Sequence, residues 1–193
     1  MVRFYSGGSV IGLIDNQSGT LSYGTFTGSH LALTEESIEF GMLVSMTGTN
    51  SRWHDEADAE LIYGVVKSTT ANDPKLLGTY LGVSEPKDAA SVDNPHLIAC
   101  VGNGPMWLVD KGANIAVGDY LISSDVAGHA MKDDGTNAVS YVIGRATEVI
   151  DWSTVTDTVG STKHKKITVT YESFKNFEGK INSLEARIAA LEN

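Results

Sequence analysis

Short apolar runs, each broken after a few positions by Gly, Asn, Asp or Pro, fill the chain as far as about residue 171. Val10-Ile11-Gly12-Leu13-Ile14 and Leu21-Ser22-Tyr23 flank the turn-forming cluster Asp15-Asn16-Gln17-Ser18-Gly19, so residues 9–14 and 20–25 read as a β-hairpin. A lone hairpin is marginal in water, so this one is expected to lie on something else. Further strands are predicted at 42–46, 61–66, 77–83, 96–101, 106–110, 120–123, 139–150 and 166–171. Turn signals separate them: Thr47-Gly48-Thr49-Asn50, Ala71-Asn72-Asp73-Pro74, Gly102-Asn103-Gly104-Pro105 and Asp133-Asp134-Gly135. Many short strands with this punctuation predict a mainly β fold, a barrel or sandwich body. Within it a helical period is confined to 56–60.

Residues 172–193 depart from that texture. Phe174, Phe177, Ile181, Leu184, Ile188 and Leu191 follow one another at spacings of 3, 4, 3, 4 and 3, an a/d heptad seam. With Phe174 at a, Lys180 and Arg187 fall at g, Glu185 and Glu192 at e, and Gly179 at f, facing solvent. Charges so placed bridge neighbouring parallel helices. An amphipathic helix packed on its own domain is the alternative, but a strict a/d stripe is narrower than a core-facing helix needs. Ile at a with Leu at d alone leans toward a dimer. The run Arg187-Ile188-Ala189-Ala190-Leu191-Glu192 matches a pattern recurrent in three-stranded coils, and it decides for a parallel trimer. The chain therefore divides into a hairpin at 1–29, a β-rich body at 30–171 and a coiled-coil stalk at 172–193. The trimerisation residues are Phe174, Phe177, Ile181, Leu184, Arg187, Ile188, Leu191 and Glu192.

Charge and composition narrow the partners. A formal net charge of −10 disfavours nucleic acid and anionic membrane. The 20 glycines follow no Gly-X-Y period, so they mark turns and not a collagen-like chain. The single cysteine, Cys100, excludes an intrachain disulfide framework and reads as a small buried thiol. No stretch reaches the roughly 18–20 apolar residues of a membrane span. The N-terminal residues lack the apolar core of a secretory signal, so synthesis in the cytoplasm is expected.

Candidate chemistry is sparse. His54-Asp55-Glu56 with Asp58 and Glu60 matches no zinc or calcium spacing and reads as a solvated acidic segment. Ser123-Ser124-Asp125 and His129 hold the residue types of a hydrolase triad, but within seven residues and without a nucleophile elbow, so they read as a strand entering a turn. Gly102-Asn103-Gly104-Pro105 is no phosphate cradle, because the proline removes an amide. His164-Lys165-Lys166 is a basic patch too short for nucleic acid. Trp53 and Trp107 are the candidates for a contact with host-surface glycan, although indoles are more often core or rim. No catalytic residue, cofactor or metal site is assigned.

Two stretches carry a family resemblance. Phe4-Tyr5-Ser6-Gly7-Gly8-Ser9-Val10-Ile11-Gly12-Leu13-Ile14, with Ser18-Gly19-Thr20-Leu21-Ser22-Tyr23-Gly24-Thr25, resembles the lead-in hairpin of the C-terminal intramolecular chaperones of endosialidase-type phage tailspikes and tail fibres. In that family a Ser–Lys dyad downstream of the hairpin performs self-cleavage. Here the corresponding segment reads Thr27-Gly28-Ser29-His30-Leu31-Ala32-Leu33-Thr34 and the next lysine is Lys67, so the dyad is not present. Cleavage by another mechanism would involve Ser29 and His30. The string Gly118-Asp119 through Ser124-Asp125 to Met131-Lys132, with Phe26-Thr27-Gly28-Ser29-His30 and Val142-Ile143-Gly144-Arg145-Ala146, is similar to β-rich C-terminal domains of phage fibres and large bacterial surface proteins. The resemblance implies a homotrimeric assembly domain of a virion tail fibre, following an upstream fibre shaft. A host-glycan-binding tip and a self-cleaving chaperone are the alternatives it leaves.

Overall fold

Strand formation follows the predicted alternation, and the pairing closes the sheet on itself. The computed structural model describes residues 2–6, 9–17, 20–23, 28–52, 61–83 and 95–192, the first three segments by their backbone. Strands β1 (Val2–Ser6), β2 (Ser9–Gln17) and β3 (Thr20–Tyr23) form a three-stranded antiparallel sheet. Asp15, Asn16 and Gln17, read above as turn residues, belong to β2 and pair with Ser22, Leu21 and Thr20. The ladder thus runs closer to the connection than the turn chemistry suggested.

The body comprises β4 (Gly28–Leu33), β5 (Leu43–Met46), β6 (Ser51–Arg52), β7 (Leu61–Lys67), β8 (Leu76–Val83), β9 (His96–Val109), β10 (Tyr120–Ser123), β11 (Ala130–Lys132), β12 (Ser140–Ala146), β13 (Thr158–Val159) and β14 (Thr162–Asn176). One helix, α1, follows at Glu178–Leu191. The sheet is mixed: β4 runs parallel to β7 and β11 parallel to β9, and the other pairs are antiparallel. Among the described strands, β9–β4–β7–β5–β8 returns to β9, and β9–β14–β12–β10–β11 also returns to β9. Two closed rings therefore share one strand. Residues 96–101 of β9 lie between β4 and β8, and residues 102–109 pair with β14.

Each ring has its own core. Ala32, Val44, Val65, Tyr80 and Ile98 fill the first. Met106, Leu108, Leu121, Ile143, Trp152, Ile167, Val169 and Tyr171 fill the second, and Leu43 and Ala99 join them. Successive side chains of a strand point to opposite faces. Val44 and Ile98 accordingly serve one core while their neighbours Leu43 and Ala99 serve the other, so β5 and β9 are a wall between the two. The wall is tight: a Cβ on Gly78 of β8 would collide with the Ala99 carbonyl oxygen.

The β7–β8 loop fastens the rings together. Asn72 adopts φ +52°, and its backbone N–H donates to Ser123 O at 2.9 Å. Its side-chain amide donates to Val139 O at 2.8 Å and accepts from Tyr141 N–H at 2.7 Å. The Asp73 carboxylate accepts from Ser45 Oγ at 2.6 Å, and Asp73 N–H donates to Ser123 Oγ at 2.8 Å. Ser45 belongs to the first ring and Ser123 to the second. On the other side of the joint, Gly128 N–H donates to Ser68 O, and Leu43 N–H donates to Gly128 O, both at 2.8 Å. No helix among the described residues is long and apolar enough to cross a membrane.

Replacing Asn72 tests this joint. Asn72→Ala leaves Val139 O and Tyr141 N–H without their partner and strains the left-handed backbone, so unfolding free energy is expected to drop by about 2–4 kcal/mol. Asn72→Gly keeps the backbone at ease and is expected to cost about 1 kcal/mol less. Urea midpoints of the two variants measure the difference, and equal losses would remove the left-handed conformation from the account.

Candidate functional site

Strand β14 leads straight into α1, and the site is the helix together with its mooring. The Arg145 guanidinium of β12 grips the Glu172 carboxylate of β14 with two nitrogens, which holds that carboxyl below its ordinary range. Phe174 meets Tyr120 edge-on with ring centroids 5.2 Å apart, and the Lys175 ammonium lies 5.6 Å from the Tyr141 ring centre. Asn176 ends the strand. Its Nδ2–H donates to Asp133 Oδ2 at 3.4 Å, and its Oδ1 accepts from Glu178 N–H at 3.1 Å, which satisfies one of the free amides at the helix start. Asp133 also accepts from Ser140 Oγ and Gly135 N–H, so the 133–140 loop and the helix start are tied to one carboxylate.

This mooring corrects two readings of the seam. Phe174 lies in β14, paired with Val142 across the ladder, and Phe177 stands at the helix N-cap. The strand persists because Ser140, Tyr141 and Val142 offer it a partner edge through Asn176. The helical seam is therefore Ile181, Leu184, Ile188 and Leu191. Gly179 does not face open solvent: a Cβ there would collide with the Asn137 and Gly135 carbonyl oxygens. The missing side chain lets the first helical turn lie against the 133–140 loop.

Beyond that turn the seam of the helix stays exposed among the described residues. The seam residues Ile181, Leu184, Ile188 and Leu191 are 53%, 44%, 56% and 87% exposed, and no residue of α1 is buried. A helix of 14 residues is marginal in water without tertiary packing. Four large aliphatic side chains thus lie exposed on one stripe about 15 Å long. Lys180, Glu185, Arg187 and Glu192 flank that stripe, and all four are exposed.

The remaining candidates are scattered. Trp53 and the His54 cluster lie outside the described residues. Trp107 sits in β9, where His164 stacks on its ring at 4.6 Å and the Lys166 ammonium lies 4.7 Å from the ring centre. Protein groups therefore already cover this indole. Ser29 and His30 are exposed neighbours in β4, so their side chains point to opposite faces of the strand and do not meet. His30 lies edge-on to Tyr63 at 5.2 Å. Ser124 Oγ donates to His129 O at 2.8 Å and accepts from Val126 N–H at 3.1 Å, so it shapes a turn and is not a poised nucleophile. Cys100 donates to Leu77 O at 3.2 Å, and burial pushes its thiol up to about 11. Sequence reasoning missed the meeting of His129 with His164, because nothing in a spacing of 35 residues signals it.

No protein-family model matches the chain, and no curated protein matches it.

Gly179→Ala separates the two views of the helix start. On a solvent-facing position alanine would stabilise the helix by about 1 kcal/mol. Against the Asn137 carbonyl it is expected to destabilise by about 1–3 kcal/mol, as overpacking does. Thermal melts followed by circular dichroism give the sign.

Proposed function

We propose that this chain is a trimerisation and assembly domain, of the intramolecular-chaperone kind found at the C-terminal end of phage tail fibres and tailspikes. The observation that carries the reading is the exposed seam of α1, held at its root by the β14–β12 ladder and buried by none of the described residues. Burying an Ile or Leu side chain contributes about 1.5–3 kcal/mol, so copies of the helix are the natural cover for one another. The Arg187–Glu192 run favours three strands, and Lys180 and Arg187 opposite Glu185 and Glu192 favour parallel alignment.

On this reading the three-stranded sheet at the N-terminal end continues a fibre shaft, and the double ring is the clamp between shaft and stalk. An elongated β-fibre needs strands of three chains to find register, a slow and non-local search with exposed edges. Joining three chains first at a stalk makes the search effectively intramolecular by raising their local concentration. The same reading gives the domain a place in the virion fibre. It asks for no cofactor.

Sedimentation velocity at micromolar concentration is expected to show a trimer. The double substitution Ile181→Asp with Leu184→Asp is expected to weaken assembly by more than about a thousandfold, because each buried, unpaired carboxylate costs several kcal/mol. The β signal in circular dichroism should be retained. A wild-type chain that stays monomeric at that concentration overturns the proposal, and a stable dimer overturns the three-stranded form of it.

A further inference from the structure

We propose that His129 and His164 form an acid-released latch on the joint between the two rings. His129 stands in the turn between β10 and β11 and is 1% exposed. Its Nδ1 lies 2.7 Å from the Ala127 carbonyl oxygen. A carbonyl only accepts, so Nδ1 keeps its hydrogen in every charge state. Its Nε2 faces Nδ1 of His164, from β14, at 3.0 Å. One hydrogen fits between those two nitrogens. In the neutral pair it belongs to His164 Nδ1 and is donated to His129 Nε2. A first added proton can sit on His164 Nε2 with the contact intact. A second has only His129 Nε2 to bind, where it would meet the His164 hydrogen head-on. Double protonation and the contact are therefore incompatible.

The surroundings set where this happens. Trp107 of β9 stacks on His164 at 4.6 Å and lies 5.9 Å from His129, which encloses the pair from the strand side. Glu39, from the segment before β5, is the acidic group whose field favours a charged His129, and Lys166 of β14 lies 3.8 Å from that carboxylate. In the His129 turn itself, Asp125 is paired with Lys111 at 2.5 Å. Asp157 and Lys165 border the open groove beside His164. Burial, the largest influence on His129, and the neighbouring His164 both work against its charge, and the net direction is downward from the ordinary histidine value.

The latch holds more than two rings of imidazole. His129 O accepts from Ser124 N–H at 2.9 Å, which closes the turn, and the adjacent Gly128 carries both backbone bonds to Ser68 and Leu43 of the first ring. Parting the histidines frees this turn from β14 and loosens the joint. For a base with a lowered folded-state pKa, the unfolded chain holds more protons in acid. Stability is then complete above the ordinary histidine range and is lost progressively as pH falls from that range to the depressed value. Two imidazoles do not make a metal centre, and no group of three His, Cys, Asp or Glu side chains able to hold a cation occurs among the described residues.

Urea unfolding of the full chain at pH 7.5 and 5.5 provides the test, beside His164→Asn. The asparagine amide can donate to His129 Nε2 or, turned over, accept from it, so the variant keeps a contact in both charge states. The wild-type folding constant is expected to fall by up to about tenfold per pH unit below the ordinary histidine range, and that of the variant by clearly less. Imidazole ¹⁵N spectra of the wild type supply an independent reading. His129 Nε2 should stay unprotonated until the His129–Trp107 contact signals vanish with it. Equal pH dependence in wild type and variant, or a His129 that gains its proton while those signals persist, overturns the latch.

Discussion

A single strand closing two rings is the constraint from which the other features of this body follow. β9 is 14 residues long, and its two halves are hydrogen-bonded into different circuits. Because β5 and β9 separate two cores, Leu43, Val44, Ile98 and Ala99 have no solvent face to relax toward. A shift of one residue would exchange Ile98 with Ala99, and Val44 with Leu43, between cores of different shape. Register is thus fixed by volume on both sides at once. Burial leaves the joint's polar groups to find partners within the chain. Asn72, Asp73, Ser45 and Ser123 are consequently bonded to one another or to nearby backbone.

The stalk inherits its position from that arrangement. Eight consecutive residues of β14, His164 to Tyr171, pair with β9, and the far end of the strand pairs with β12 as far as Asn176. The helix begins at Glu178, so hardly any chain is left to act as a hinge. Gly179 closes what remains of the gap by pressing backbone against backbone. In the proposed trimer, a helix so moored presents its seam in a direction set by the ring, and less orientational freedom is lost when copies meet.

How much of this was legible depended on range. Strand β10 was readable to the residue, and β5, β7 and β8 to within one, because alternation and turn residues are local signals. Gly102-Asn103-Gly104-Pro105 looked like a turn, yet β9 runs through it. Tyr171 lies against Gly104, where a Cβ would not fit, and its hydroxyl donates to Pro105 O at 2.6 Å, so a partner strand overrides the punctuation. The polar run Thr162-Lys163-His164-Lys165 did not announce the strand that the pattern placed from 166 onward, and Phe174 fitted the heptad count by coincidence with a strand position. β4 was not foreseen, for its Gly28-Ser29-His30 start carries no apolar pattern. The histidine pair required the finished fold. Only the exposed helical seam, a local pattern with no local partner, was legible and also pointed beyond the chain.

The charge distribution fits that division between self-contained and outward-looking parts. Residues 163–193 carry six basic and four acidic side chains, which leaves eight basic against 20 acidic for the remainder. In the proposed trimer, acidic bodies gathered around one axis repel each other, but at physiological ionic strength the repulsion fades over about 8 Å. The seam acts only when side chains touch, and its near-balanced flanks add no repulsion of their own. The described ladders of the two rings close within the chain. In the proposed trimer the helix gains its packing on encounter with its copies. Folding first and assembly second is then the order the proposed assembly calls for.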